Sequence, residues 1–284
     1  MNIAIIGLGL IGGSIGLAIK KTKGQGVRVI GFPHREETIA QALMLGAVDE
    51  GTLDLSQIAT ADIVFIATPL NKIIHALKES IPHLKKGVIV TDVGSSKYEI
   101  VKEAQSLMPK GTFFVGGHPM AGKEKAKLVS AEAELFIGRS WILTETTRTS
   151  KKAIETLTSL IAEMGSSVLI MDPKLHDLAV AGVSHMPLAI SAALVNAVAF
   201  SKDGVEEMKK CASSGFRDTT RIASGDPELG VGMFTTNKKA VLKMIKGFKN
   251  SLSQLESAIK ANNPDQILAF LQKAKEFRDG VFQG

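Results

Sequence analysis

The chain opens on Met1-Asn-Ile-Ala-Ile-Ile-Gly7-Leu-Gly9-Leu-Ile-Gly12, an apolar run leading straight into G-x-G-x-x-G, with helical spacing at 13–23. Strand, glycine turn and helix in that order constrain this chain more than any other feature. Gly7 permits the tight turn, Gly9 lets backbone approach a pyrophosphate, and Gly12 lets the helix lie close on the sheet. The helix start then aims free N–H groups and a positive dipole end at the phosphates. Gly7, Gly9 and Gly12, with Leu10 and Ile11 between them, are therefore the expected cofactor-binding turn. A second apolar run at 27–31 continues the pattern of a dinucleotide-binding unit.

The end of that second run bears on which dinucleotide binds. An acid there would hold a ribose 2′-hydroxyl and repel a 2′-phosphate. The chain instead reads Gly31-Phe32-Pro33-His34-Arg35, with no carboxylate before Glu36. His34 and Arg35 can receive a phosphate, so NADP is favoured, with NAD as the alternative. The competing reading makes Arg35 an ordinary solvated residue at a helix start.

Short apolar runs at 3–7, 27–31, 63–68, 88–93, 113–117, 141–144 and 167–171 alternate with helical spacing at 36–45, 73–81, 97–107 and 151–164. That alternation predicts a doubly wound parallel sheet, an α/β domain of Rossmann type, over residues 1–172. From Asp172-Pro173 onward the spacing is helical at 175–200, 206–212, 233–261 and 264–277, which predicts an all-α second domain over 173–284. The stretch at 175–200 is apolar around most of its circumference, so it belongs in a core or a subunit interface.

Composition narrows the partners. With 34 Lys+Arg against 28 Asp+Glu the net charge is +6, and the positive residues are scattered apart from short groups such as 123–127 and 238–239. Without aromatic interleaving or a basic tract, small anions fit better than nucleic acid. Cys211 is the single cysteine, so no intrachain disulfide and no thiolate metal cluster are expected, and no metal site is assigned. No signal peptide and no uninterrupted apolar run of membrane-spanning length are found, so a cytoplasmic location without membrane contact is expected.

Three polar clusters follow strands, where such folds bind ligands. They are Thr68-Pro69, Thr91-Asp92-Val93-Gly94-Ser95-Ser96-Lys97 and Gly116-Gly117-His118-Pro119-Met120-Ala121-Gly122. Thr68 and Pro69 would pass near the nicotinamide. His118, framed by glycines and not on an apolar face, is a candidate proton acceptor. In the helical half, His185 sits in Ser184-His185-Met186-Pro187, where its surroundings fit a core histidine as well as a site residue. Arg217 and Arg221 lie four apart among small hydroxyl residues; one can pair with Asp218 while the other grips a carboxylate.

G-L-G-L-I-G-G-S, D-V-G-S-S-K, G-G-H-P-M-A-G, S-H-M-P and G-F-R-D-T-T-R-I-A, in this order from Met1 to about Ile245, resemble the prephenate/arogenate dehydrogenases of tyrosine biosynthesis. The resemblance implies oxidative decarboxylation of prephenate or arogenate to 4-hydroxyphenylpyruvate or tyrosine, with hydride transfer to NAD(P). It implies that His118 accepts the 4-hydroxyl proton, that Ser95 bonds the same hydroxyl and orients the cofactor, and that His185 faces the active site. It also implies that Arg221 holds a substrate carboxylate, which leaves Arg217 to pair with Asp218. No fused mutase and no C-terminal regulatory domain are expected within these 284 residues.

Three rivals stay open: an aminodeoxyprephenate dehydrogenase, a β-hydroxyacid dehydrogenase and a non-catalytic dinucleotide sensor. A β-hydroxyacid dehydrogenase would use a lysine of the helical half, and a sensor would lack the His118, Ser95 and Arg221 set. The apolar helix predicts a homodimer through the helical domains.

Overall fold

Strand β1 (Asn2–Ile6) is continuously apolar from Ile3 on because both of its faces are covered. It lies beside β2 (Arg28–Phe32) and β4 (Ile63–Ile66), flanked by β3 (Glu50–Gly51), β5 (Ile89–Asp92) and β6 (Phe113–Val115). All six run parallel, in the order β3-β2-β1-β4-β5-β6. Successive side chains face opposite sides. Ile3 and Ile5 join one core with Ile63, Phe65 and Ile89, while Ala4 and Ile6 join another with Val64, Ile66 and Val90. Helices α1 (Leu10–Lys23) and α2 (Glu36–Met44) feed the first core through Ile15, Ile19 and Ala42. Helices α3 (Ile73–Ser80) and α4 (Tyr98–Leu107) feed the second through Ile73, Leu77, Ile100 and Ala104. The computed structural model describes residues 1–123 and 127–282, so the centre of the basic group at 123–127 lies outside the described residues.

The expectation of a single parallel sheet through residue 171 needs a correction. Strands β7 (Gly117–Pro119), β8 (Ser140–Thr144) and β9 (Ser167–Met171) form a separate three-stranded sheet, with α5 (Lys151–Glu163) between β8 and β9. β7 pairs antiparallel with β8, and β8 pairs parallel with β9. The chain ends β6 at Val115 and re-forms as β7 two residues later, crossing so close to β5 that a Cβ on Gly117 would stand 2.5 Å from the Asp92 carbonyl oxygen.

The helical half begins with α6 (Pro173–Val180), a π turn at Ala181–His185 and α7 (Met186–Ala199) in one continuous run. Asp172 caps it by accepting from the Lys174 and Leu175 N–H groups. The π turn sits where Pro187 cannot donate to the Val183 carbonyl one turn earlier. Then come α8 (Val205–Cys211), α9 (Ser214–Thr220), α10 (Pro227–Thr236), α11 (Lys238–Lys260) and α12 (Pro264–Phe282). The helix expected at 233–261 is thus two, broken at Asn237 (φ −110°, ψ 30°), whose side chain is committed elsewhere.

The chain forms two compact units, Met1–Lys238 and Lys239–Gly284. In the second, the turn between the helices passes through Asn262 at φ 48°, and the Asn263 side chain caps α12 by accepting from the Gln266 N–H. A further correction concerns the apolar run: the helix Pro173–Ala199, 27 residues with a mean hydropathy of 1.8, is long and apolar enough to cross a membrane by length and composition. Only 22% of its most apolar window is buried. The polar residues His176, Asp177, His185 and Ser191 are among the few it buries.

Candidate active site

The sheet order reverses at β1, so the chain leaves β2 and β4 in opposite directions around a crevice at their carboxyl ends. Gly7, at φ 93°, turns there; a Cβ on it would stand 2.7 Å from the Ala67 carbonyl oxygen, so glycine is required. Gly9 is the N-cap of α1, and Leu10 is buried just behind it. Ile11 is partly buried against the first core, and Gly12 packs on Gly7. Across β2, Phe32 is buried, whereas His34 and Arg35 are exposed at the start of α2.

Parallel register gathers the other clusters on the same edge. Ile66 pairs with Asp92, and Thr91 pairs with Val115, so the loops after β4, β5 and β6 emerge side by side. Thr68 and Pro69 follow β4, and Ser95 follows β5. The Oγ1 of Thr68 and the Oγ of Ser95 are buried without a protein partner. Buried hydroxyls that the chain itself leaves unsatisfied fit a site shaped for a ligand. With the glycine turn, these hydroxyls suit a dinucleotide: Gly7 to Gly12 would hold the pyrophosphate, and Thr68 and Ser95 would lie toward the nicotinamide end.

A fully buried ion pair fixes the floor. Lys97 Nζ donates to Asp92 and to the Gly117 carbonyl oxygen (2.8 Å), while Asp92 accepts from the Gly94 N–H (2.9 Å) and the Gly117 N–H (3.2 Å). Both side chains are 0% exposed. Burial pushes the Lys97 ammonium down from its usual range, and the Asp92 carboxylate opposes that shift. The pair ties the loop that carries Ser95 to the strand that carries His118.

His118 is the middle residue of β7, opposite Ile142 of β8, and its Nδ1 lies 2.8 Å from His176 Nε2. His176 Nδ1 in turn lies 2.9 Å from Asp177 Oδ1. Asp177 caps α4 from outside, accepting from the Lys97 N–H (2.6 Å) and the Tyr98 N–H (2.9 Å). Burial pushes His118 well below the ordinary imidazole value, helped by His176, Lys97 and His185; burial also lowers His176. His118 is therefore a neutral imidazole, able to accept a proton.

His185, in the π turn, is fully buried. Asn237 donates to the Asp177 carbonyl oxygen (2.7 Å), and the same nitrogen faces His185 Nδ1 at 3.2 Å. Nδ1 is then the acceptor, and Nε2 carries the proton and has no protein partner. Desolvation lowers His185 to about 4. It is thus a neutral donor, and of the two readings open in the sequence the buried, unsatisfied nitrogen favours the site residue.

Arg221 starts the 3-10 turn Arg221–Ser224 after α9; that turn packs against α7, and Arg221 is exposed. Arg217 pairs with Asp218 at 3.0 Å on the surface. Among the described residues no group of three or more His, Cys, Asp or Glu is placed to hold a metal ion. Sequence reasoning passed over His176, Asp177 and Asn237. The available signal was His-Asp, two polar residues side by side in an apolar helix with no surface task.

The comparisons with known proteins meet this geometry. Residues 15–170 match the family model described as prephenate dehydrogenase, nucleotide-binding domain, and residues 172–273 match prephenate dehydrogenase, dimerization domain. The chain belongs to the prephenate dehydrogenase family. It is 34% identical to prephenate dehydrogenase of Bacillus subtilis, over 99% of this chain and 76% of that protein. Its structure is similar to Synechocystis arogenate dehydrogenase (37% identity, TM-score 0.88, 99% of this chain and 100% of that one). It is also similar to prephenate dehydrogenase of A. aeolicus in complex with hydroxyphenyl propionate and NAD+ (32% identity, TM-score 0.92, 99% and 98%). Like other members, the chain is an oxidoreductase with a nucleotide-binding part of Rossmann type and a helical part.

Proposed function

We propose that the chain catalyses oxidative decarboxylation of prephenate, arogenate or both, with NADP preferred over NAD. The observations that carry the reading are a neutral acceptor, His118, a neutral donor, His185, close enough to bear on it electrostatically, and the buried, unsatisfied Ser95 hydroxyl. The bound dinucleotide supplies the hydride acceptor. His118 takes the 4-hydroxyl proton as hydride leaves C4, and Ser95 bonds the same oxygen. Loss of the ring carboxylate as CO₂ leaves its electron pair to the ring, and the proton held on His118 returns to the oxygen as the ring becomes aromatic. Arg221 holds a substrate carboxylate. Residues 1–172 serve the dinucleotide, and 173–284 serve substrate and dimer contacts.

Steady-state assays of prephenate and arogenate, each with NAD and NADP, test the reading. Turnover with either substrate is expected, with NADP the better cofactor. The preference rests on exposed His34 and Arg35 after β2, with no acid before Glu36. Arg35→Ala should remove it and Arg221→Ala should raise KM for the organic substrate. Equal use of both cofactors by the wild type would sink the NADP assignment alone, and no turnover with any pair would sink the reading.

The pH profile follows from the depressed histidines. His118 works as the neutral ring, so kcat/KM should stay level from neutral pH down through 6.5 and fall only as pH drops through its lowered value. Stability has the same sign. Below about 6.5 the unfolded chain binds protons that the folded histidines refuse, and for His185 this continues down to about 4. Thermal melts should therefore decline on acidification in that window. An activity limb at or above 6.5 would contradict the assignment.

A homodimer through the helical half is the proposed assembly. In α7 only Ser191 is buried, while Val183 and Phe200 beside it are 73% and 81% exposed. An apolar face of that kind marks an interface, and the family model covering it is named for dimerization. Light scattering should give about twice the chain mass of 30.2 kDa. A monomer at micromolar concentration would refute it. The fold and family fit a cytoplasmic enzyme with small-molecule partners and no nucleic-acid role.

A further inference from the structure

The geometry points to His176 and Asp177 as a positioning relay that fixes the tautomer of His118 and leaves its Nε2 bare for the substrate proton. This rests on the reading of His118 as the proton acceptor. A carboxylate only accepts, so His176 Nδ1, 2.9 Å from Asp177 Oδ1, carries the ring proton. The neutral ring then offers its Nε2 lone pair to His118 Nδ1, 2.8 Å away, and His118 Nδ1–H must donate. The rings meet edge to face, with centroids 5.1 Å apart and planes at 72°. His118 Nε2 is thereby the free lone pair.

Asp177 is held in turn. The Lys97 and Tyr98 N–H groups at the start of α4 both point at its carboxylate, and Asn237 Nδ2 donates to its carbonyl oxygen. The carboxylate thus sits at a helix N-terminus, where its charge is stabilised while remaining one ring away from His118. When the substrate O–H bond breaks, its proton binds Nε2 and the electron pair stays on oxygen. The resulting imidazolium keeps its Nδ1–H bond to His176, whose own N–H faces the carboxylate. The other charged or titratable groups bearing on His118 are Lys97, balanced by Asp92, and His185. None of these supplies an acceptor at Nδ1, so the relay alone selects the tautomer. His185, tied at Nδ1 by Asn237, has the opposite tautomer. One site therefore holds one bare nitrogen and one N–H.

Two measurements test the relay. Nitrogen-15 NMR of histidine-labelled wild-type protein, without substrate, should show His118 protonated at Nδ1 and bare at Nε2; a proton on Nε2 would overturn the proposal. In kinetics, His176→Leu should lower kcat by about 10²–10⁴, the contribution of a positioned general base, the upper end being about what a wrong tautomer costs a hydrolase triad, with KM values little changed. His176→Gln keeps an N–H for Asp177 and an oxygen for His118 Nδ1–H, so it should recover most of that loss. Equal losses in the two variants, or a His176→Leu enzyme with wild-type kcat, would refute it. The NMR readout needs no turnover. An inactive wild type with the stated tautomer would sink the proposed function and spare the relay, whereas an active wild type with Nε2–H would sink the relay alone.

Discussion

Replacing His118 with asparagine is expected to lower kcat by about 10²–10⁴, the usual contribution of a positioned general base, while KM for the dinucleotide stays near its wild-type value. Asparagine has no basic nitrogen, so the 4-hydroxyl proton would leave to water instead. The backbone of β7 keeps its pairing with β8 through Gly117 and Pro119, and the cofactor turn at Gly7 to Gly12 lies on a different strand end. Stopped-flow hydride transfer with saturating substrate would read the chemical step directly. If His118→Asn left that step at its wild-type rate, the general-base assignment would fail.

The largest stability effect is expected at Lys97. Its side chain and that of Asp92 are both 0% exposed, so Lys97→Met leaves an uncompensated carboxylate in the protein interior. Breaking a buried pair from one side costs about 3–5 kcal/mol, and at about 2–4 °C per kcal/mol for chains of this order the melting temperature should fall by roughly 6–20 °C. Asp92→Asn added to Lys97→Met removes the stranded charge and should restore part of the loss. The amide can still accept from one of the Gly94 and Gly117 N–H groups that the carboxylate now serves. Calorimetry of the two variants would check this. A single Lys97→Met variant that melts with the wild type would mean that the pair contributes nothing net to folding.

These residues show where a linear reading stops. Gly7 and the alternation of Ile3, Ala4, Ile5 and Ile6 between two cores are local properties, set by backbone conformation and a period of two, and they were legible from the sequence. So were the motifs that make His118, Ser95 and His185 candidates, because they are short and contiguous. The sequence also carried the change from alternating strands and helices to helices alone after Asp172.

The partners of those residues were not legible. His176 lies 58 positions from His118, Asp177 lies 80 from Lys97, and Asn237 lies 60 from Asp177. No periodicity links such positions, since each contact exists only once the parallel sheet has brought its strand ends together and the helix starting at Pro173 has packed on them. The same cause divided the helix expected at 233–261: helical spacing runs through Asn237, but burial of its amide against Asp177 and His185 outweighs one helical hydrogen bond. By itself the sequence determined the dinucleotide fold and the family, and it singled out the histidine proposed to react. On the proposed relay the tertiary structure decides which nitrogen of that histidine is free, because a tautomer is set by hydrogen-bond partners that only the folded chain supplies.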